Sequence, residues 1–556
     1  MRRRSAASAP LAAALAALLA SLPPCSHAAA SFDVVVYGAT PAGIAAALAV
    51  AREGRSCALV HPLARIGGMM TGGLGMTDVG NVRVIGGLAL EVFTRIGAAY
   101  NASAGAPPVF KFEPHVALDV FEALIREANG LVTLTTGLTV VSVAKQGAAL
   151  ASIACADTLA LEAGGAAAAA ALGSPIVYEG SAFIDASYEG DLIALAGVST
   201  AVGREASATY GESLAGRLAV PNSVGGHPFS VAVNATAPGG GELPMLTGPP
   251  GPVGGGDAKE QAFNFRLCLT TNKTNQIALT KPDGYDPAFW ELFRRYIAAK
   301  WPNGTHWSMH DVMNISPLPH EKTDVNNNGA ISTDAIGMSW GWATAPPAGR
   351  AAMFAAHKLY TQSFLWFLAS DAAVLPAVRA EVATWGLAAD EFTDSNGWPT
   401  QLYVREGRRM VSDFVFTQRD REVNRTKPDS IGLFSYNMDS HNSQRFVQIE
   451  AGGVAWVRNE GDVEVGGGDG PGQLPWRMIV PRRAEATNLL APVPASASHI
   501  AYGTVRLEPQ FLILGQSAGV AAGRLVADGG AFQDVDVPAL QARLRALGQL
   551  IDMPAS

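Results

Sequence analysis

Residues 34–54 read VVVYGATPAGIAAALAVAREG, and this stretch decides the fold. Val34–Tyr37 sits in a continuous apolar run, the pattern of a strand buried on both faces. Gly38 opens a tight turn. Pro41 suits the first turn of a helix, where its missing N–H has no partner to lose. Alanines at 45, 46, 47 and 49 let that helix lie close to a sheet. Gly54 closes it, and SCALV (56–60) returns as a second parallel strand. The turn G-A-T-P-A-G keeps the first and third glycines of a dinucleotide fingerprint, Gly38 and Gly43, with Thr40 at the middle position. The helix start at Pro41, Ala42 and Gly43 offers a pyrophosphate its partial positive charge, and the Thr40 hydroxyl is a further donor. An acid is expected about 20 residues on, at the end of the second strand, for a ribose hydroxyl. LVHP places His61 there instead, which leaves His61 as the ribose candidate. A Rossmann unit with no cofactor is the plain alternative.

The bulk numbers bound the rest. The chain has 556 residues and is 48% hydrophobic, enough for a large core and about two to four domains. Only 16% of residues are charged and the net charge is −8, which excludes a nucleic-acid binder. MRRR, the apolar run LAAALAALLASL and SHAAAS read as a secretory signal peptide over about residues 1–30, with a plastid leader as runner-up. No later segment is apolar for long enough to span a bilayer. Six N-x-[ST] sequons, at Asn101, Asn234, Asn272, Asn303, Asn314 and Asn424, agree with a glycosylated secretory protein. Cys25 falls in the leader; Cys57, Cys155 and Cys268 lie far apart in apolar segments and read as buried free thiols.

IGGMMTGGLGMTDVG (66–80) reads as a glycine-rich loop and 116–129 as a helix. LVTLTTGLTVVSVAK and IACADTLALEA alternate like a small β-meander, and SAFIDASYEGDLIALAG is a strand, a polar turn and a helix. Pro/Gly-rich loops follow from about residue 200, then helical stretches near 287–300, 349–369 and 375–385, with TDVNNNGAISTDAIG as a loop between them. RMIVPRRAEATNLLAPV is strand-like, and a small-residue helix ends the chain. The expected class is α/β: a Rossmann-like FAD-binding domain of parallel sheet plus meander (31–205 and 460–556), with an inserted α+β substrate or cap domain (206–459).

The doublet Gly67–Gly68 in ARIGGMMTGGLG, then ALIREANG, FEPHVALDVF, FIDASYEGDLIALAG, AFNFRLCLT, LYVREGRRMVSDFVFTQRD, SYNMDSHNSQRF and ASHIAYGTVRLEPQFLILGQSAGVAA follow in order. Together they resemble the FAD-dependent oxidoreductase family, in its xanthan-lyase-like branch, over nearly the whole chain after the leader. The resemblance implies that Gly38, Thr40, Pro41, Ala42 and Gly43 hold the FAD pyrophosphate and that His61 lies at the ribose. It places Gly67, Gly68, Met69, Thr71, Gly72, Gly73 and Leu74 along the flavin and Val141 at the adenine. Asp185 to Ser187 would form the strand end that closes over the pyrophosphate, and the family often has A-T-G-D-G-D where this chain reads ASYEGD. Gly515, Gln516, Ser517, Ala518 and Gly519 would begin the last helix, facing the pyrimidine end of the flavin.

A flavoenzyme's protein part positions the substrate and handles a proton. His441 (MDSHNS) and His499 (ASHIAYG) are the candidate proton carriers, and Arg405 and Arg506 the candidates for anchoring a carboxylate or an enolate. The plain reading pairs Arg405 and Arg408 with Asp413 and Asp420. Tyr436, Asp439 and His115 are weaker candidates. DVNNNGAIST is dense in oxygen ligands but lacks the glutamate of a calcium loop, so a polar loop is preferred and no metal is expected. GQSAG fits the nucleophile-elbow pattern only superficially. Tryptophans 290, 301, 307, 340, 342, 385 and 398 suit stacking on a sugar, although a core role is preferred. The expected enzyme is a secreted or lumenal FAD-dependent oxidoreductase acting on a small organic or carbohydrate substrate, with O2 or a small carrier as acceptor. A carbohydrate-binding flavoprotein with little turnover is the alternative.

Overall fold

The computed structural model describes residues 29–101, 105–222, 224–302, 307–465 and 470–554. Residues 1–28 of the expected leader, Cys25 among them, and the sequon residue Asn303 lie outside these. The stretch 34–54 folds as its pattern dictates, into β1 (Ala30–Tyr37), α1 (Pro41–Arg52) and then β2 (Cys57–His61). A short helix α2 (Gly68–Gly72) and a longer one, α3 (Pro114–Glu127), lead to β3 (Val132–Thr136), β4 (Leu138–Gln146) and β5 (Ala149–Asp157). A second short helix, α4 (Thr158–Ala163), precedes β6 (Ile176–Asp185).

The sheet runs β3–β2–β1–β6–β5–β4. Its first four strands are parallel, and β6, β5 and β4 form the antiparallel meander. The parallel register sets Tyr37 beside both Val60 and Asp185, so the carboxyl ends of β1, β2 and β6 share one edge. Ligands of open α/β sheets bind at such an edge.

The inserted region carries its own antiparallel sheet. Its strands are β7 (Leu267–Thr270), β8 (Gln276–Ala278), β9 (Met313–Leu318), β10 (Lys322–Asn327) and β11 (Gly386–Ala388), in the order β9–β10–β7–β11–β8. The long helix α5 (Pro347–Ser370) packs beside it and reaches α4. Far down the chain β12 (Leu489–Leu490) joins β6 in parallel, and α6 (Glu508–Asp528) lies against α1.

Several expectations change. In IACADTLALEA the strand stops at Asp157, because its side chain accepts the Ala160 N–H and starts a helix where alternation predicted a strand. In RMIVPRRAEATNLLAPV only Leu489–Leu490 is a strand. Part of TDVNNNGAIST is strand β10, and the Asp324 carboxylate accepts from Arg266 and from the Met76 N–H. Its oxygens are engaged by the fold. Trp290, Trp301, Trp307, Trp342 and Trp398 are buried. Trp290 stacks on Phe367 and Trp301 on Trp307, so these rings are core and not a sugar platform. Cys57, Cys155 and Cys268 are buried free thiols, as their context implied. Among the described residues no helix is long and apolar enough to cross a membrane.

The sequence pattern places Gly515 and Gly519 at the start of the last helix; they lie well inside α6 instead, which begins at Glu508, and a further helix, Val537–Ala546, follows it. A Cβ at Gly515 would stand 2.1 Å from the Ala42 carbonyl oxygen, and one at Gly519 2.2 Å from that of Ala46. The glycines let the backbones of α1 and α6 touch. Gln516 faces another way and accepts the Leu88 N–H, Ser517 bonds the Ile431 carbonyl, and Ala518 is core. Replacing Gly515 by Val must part the two helices. A destabilisation of about 1–3 kcal/mol is expected, read in urea melts as a lower midpoint at unchanged m-value.

Candidate active site

A cavity of about 380 Å³ opens at the shared carboxyl edge of β1, β2 and β6. Gly38, Thr40 and Ser187 line its floor, and His61, Thr139, Thr158 and Glu162 line one end. Trp342, Arg350, Phe354, Gln401 and Leu402 of the inserted region cover it.

The floor is built by close backbone approach. Gly38 has φ +98°, and a Cβ there would lie 2.7 Å from the Ala186 carbonyl carbon. A Cβ at Gly43 would lie 1.8 Å from the Gly38 oxygen. Thr40 is the N-cap of α1: its hydroxyl accepts the Gly43 N–H at 3.3 Å and donates to the Ala186 carbonyl at 2.7 Å. The hydroxyl is thus engaged in the turn, against the expectation that it donates to a phosphate. Pro41 and Ala42 complete the helix start, which still offers its partial positive charge at the floor.

His61 lines the cavity, yet both ring nitrogens are engaged. Nδ1 accepts the Ala39 N–H at 3.0 Å, so Nε2 carries the proton and meets the Arg65 carbonyl at 3.2 Å. Burial lowers its pKa to about 4, against the smaller opposing effect of that carbonyl. His61 therefore braces the glycine turn and does not serve a ribose hydroxyl. Asp185 shapes the facing turn, accepting from the Ser187 N–H and hydroxyl and from the Ile193 N–H. Burial raises its pKa to about 6.

Tyr188 stands where family members often carry glycine, and it reorganises the next stretch. Its hydroxyl accepts the Met69 N–H at 3.0 Å and donates to Glu508 at 2.8 Å. A Cβ at Gly68 would meet that hydroxyl at 2.3 Å. Gly67 donates its N–H to the Ala39 carbonyl, tying this loop to the glycine turn. Gly68 and Met69 therefore lie behind Tyr188 and not on the open wall. Thr71 bonds the Ile66 carbonyl, Gly72 and Gly73 abut Gln401 and Arg266, and Leu74 is core. Val141 occupies a bulge in β4, while Thr139 lines the cavity.

Beyond Tyr188 the predicted catalytic residues converge. Arg405, His441 and Arg506 come from three distant segments. Asp334 joins the first two, at 3.0 Å from Arg405 and 2.7 Å from His441 Nδ1. Burial disfavours charge on Asp334, but Arg405 and His441 outweigh it and hold the carboxyl below its usual range. Asp439 joins His441 and Arg506, 3.7 Å from His441 Nε2 and 3.4 Å from Arg506. Both arginines lie over the Tyr403 ring, at 4.8 and 5.6 Å, and Arg506 donates to its hydroxyl at 2.9 Å. Neither Arg405 nor Arg408 uses Asp413 or Asp420; Arg408 pairs with Asp191.

His499 stands apart. Its Nδ1 is 2.7 Å from Glu406, whose other contacts are Gln261 and Arg409. Burial and then the Arg409 charge lower its pKa to about 3, so the ring is a neutral donor to a structural carboxylate. Gln261 links this network to the cluster by accepting the His441 N–H. His115 is elsewhere, bonded to Glu391. Glu113, His115 and Glu391 have ligand-like spacing, but the Lys322 ammonium lies 2.5 Å from Glu113 and 3.0 Å from Glu391 and supplies their cation.

Tyr188, Asp334, Tyr403 and Glu508 were not singled out from sequence. Arg506-x-Glu508 at a helix start was the one available signal. Glu508 is buried, and burial raises its pKa to about 8 against the Tyr188 hydrogen bond and Arg506. Among the described residues its Oε2 has no partner, nor has either side-chain polar atom of Gln510. Nε and Nη2 of Arg405 are likewise unmet.

A family model described as "FAD dependent oxidoreductase" matches residues 33–544. No curated protein matches the chain. Among solved structures, Thermovibrio ammonificans THI4 is 19% identical, over 35% of this chain and 72% of its own, with TM-score 0.23. The L-proline dehydrogenase from P. horikoshii is 15% identical over 28% of this chain and 22% of its own, TM-score 0.17. The 3-ketosteroid-Δ4-(5α)-dehydrogenase from Rhodococcus jostii is 12% identical over 31% and 49%, TM-score 0.20. Likenesses this slight carry no weight for the activity.

The buried histidine beside the glycine turn makes stability pH-dependent. Unfolded, His61 titrates near its ordinary 6.5; folded, near 4. The unfolded chain binds the extra proton between these values, so stability is intact above pH 6.5 and falls as pH drops toward 4. Its share is about 3 kcal/mol across that window. His61→Gln should show a shallower decline between pH 6.5 and 4 than the parent protein in urea melts.

Proposed function

The chain belongs to the FAD-dependent oxidoreductase family, and from that premise we propose a secretory-route enzyme that oxidises a small organic or sugar-like alcohol by hydride transfer to FAD, with O2 or a small carrier as final acceptor. FAD is its cofactor, and the residues present fit it. The glycine turn and the α1 N-terminus suit a pyrophosphate. The unmet polar atoms of Glu508, Gln510 and Arg405 suit the alternating donors and acceptors of an isoalloxazine edge. When bound, FAD supplies the hydride acceptor.

The observation that carries the reading is the Asp334–His441 pair. With Nδ1–H held by Asp334, His441 presents Nε2 as a base to a substrate hydroxyl. The O–H proton would pass to Nε2 of His441, and the chemistry that FAD would supply is acceptance of the carbinol hydride, which would leave a carbonyl. Asp439, 3.7 Å from Nε2, steadies the imidazolium, and Arg506 orients Asp439. Arg405 keeps Asp334 ionised. Burial raises the Glu508 pKa to about 8, so this carboxyl would be neutral near pH 7 and would add no negative charge behind Tyr188. The family's xanthan-lyase-like branch and a non-catalytic carbohydrate-binding role are less favoured, since five of the seven tryptophans they would use are buried. The secretory route is supported by the leader pattern and by exposed sequon asparagines at 101, 234, 314 and 424.

The purified protein should be yellow, with bands near about 370 and 450 nm, and small alcohols and sugars should bleach it anaerobically. His441→Asn should slow that bleaching by about 10²–10⁴-fold with the absorbance bands intact. A colourless protein that takes up no FAD overturns the proposal, as does unchanged bleaching in the variant.

A further inference from the structure

We infer that Glu162, on the helix inserted between β5 and β6, supplies the ribose-binding carboxylate that the end of β2 lacks. The inference rests on the FAD reading above. Three observations carry it. First, the residue at the usual place is His61, and both its nitrogens are engaged by the backbone, so it offers a ribose hydroxyl nothing. Second, the cavity wall holds three carboxylates, and two of them already have partners. Asp191 is held by Arg350 and Arg408, and Glu189 accepts the Trp342 indole N–H. Glu162 is the third, and it has no hydrogen-bond or ion-pair partner among the described residues. Third, it lies at the right end. Its helix starts at Thr158, whose N–H donates to the Gly137 carbonyl and whose hydroxyl bonds Thr139, and Gly137 follows Thr136, the register partner of His61; this is the β2 and β4 side of the cavity, which would receive the adenosine half of an FAD whose pyrophosphate sat at Gly38.

The helix that carries Glu162 is held firmly for its length. Asp157 caps it by accepting the Ala160 N–H, and the Thr158 hydroxyl bonds that of Thr139 at 2.9 Å. Leu161 is buried, α5 of the inserted region packs on the helix, and Gly164 at φ +70° ends it. Burial raises the carboxyl's pKa with nothing on the protein to offset it. A ribose diol supplies two O–H donors, the partners this carboxylate otherwise lacks.

The test titrates apo-protein with FAD and with FMN, which has no adenosine, following flavin fluorescence. Glu162→Ala and the isosteric Glu162→Gln should each weaken FAD binding by about tenfold or more, and leave FMN binding and the far-UV spectrum unchanged. Equal weakening for FAD and FMN, or none in either variant, overturns the inference. An analogue with hypoxanthine for adenine should bind the parent protein as FAD does. If the parent binds it more weakly and Glu162→Ala does not, the carboxylate reads the base and the ribose assignment fails. Absence of FAD binding in the parent protein would instead overturn the family-based reading of the cavity.

Discussion

The contact between α1 and α6 is the constraint on which the site depends. Two helices far apart in sequence touch backbone to backbone because Gly515 and Gly519 face Ala42 and Ala46. That contact fixes the α1 N-terminus at the carboxyl edge of the sheet. It also sets the start of α6, and with it Glu508, which lies behind Tyr188 of the same cavity. Any side chain larger than hydrogen at either glycine would move one end of the cofactor track against the other.

Around this contact the turn is made self-sufficient. Thr40, where a glycine is usual, caps α1 and holds Ala186. His61, where an acid is usual, holds the Ala39 N–H. Tyr188, where a glycine is usual, bridges Met69 and Glu508. Each departure from the common pattern puts an internal hydrogen bond where a ligand would otherwise be met. Such an exchange is stable because the Thr40 and Tyr188 hydroxyls and both His61 ring nitrogens find partners. A ligand seated here must then find its hydrogen-bond partners on other elements, and the insertion after β5 is one source.

The proton-handling cluster follows a different logic. Burying three arginines and two histidines near one tyrosine is unfavourable unless carboxylates are placed among them. Asp334, Asp439 and Glu406 meet that need, each shared by an arginine and a histidine. Sharing links His441 to Arg405 and to Arg506, so no member can be displaced without uncovering another charge. His441 keeps Nε2 free of a hydrogen bond within this frame, while His499 is closed in.

From sequence alone the parallel βαβ unit, the buried thiols and the FAD family were legible, because periodicity and glycine spacing are local properties of the chain. His441, Arg405 and Arg506 were legible as candidates because their residue types suit proton and anion handling. Their meeting at Asp334, Asp439 and Tyr403 was not, since those partners lie up to about a hundred residues apart and leave no trace in spacing. Nor did the motif at 515–519 reveal that its glycines serve helix packing, because a small-residue pattern looks the same at a helix start and in its middle. The roles of Thr40 and His61 were decided only by tertiary structure. A side chain's partner depends on which backbone donors the fold brings within 3 Å, and that is settled by packing, not by the identity of the residue.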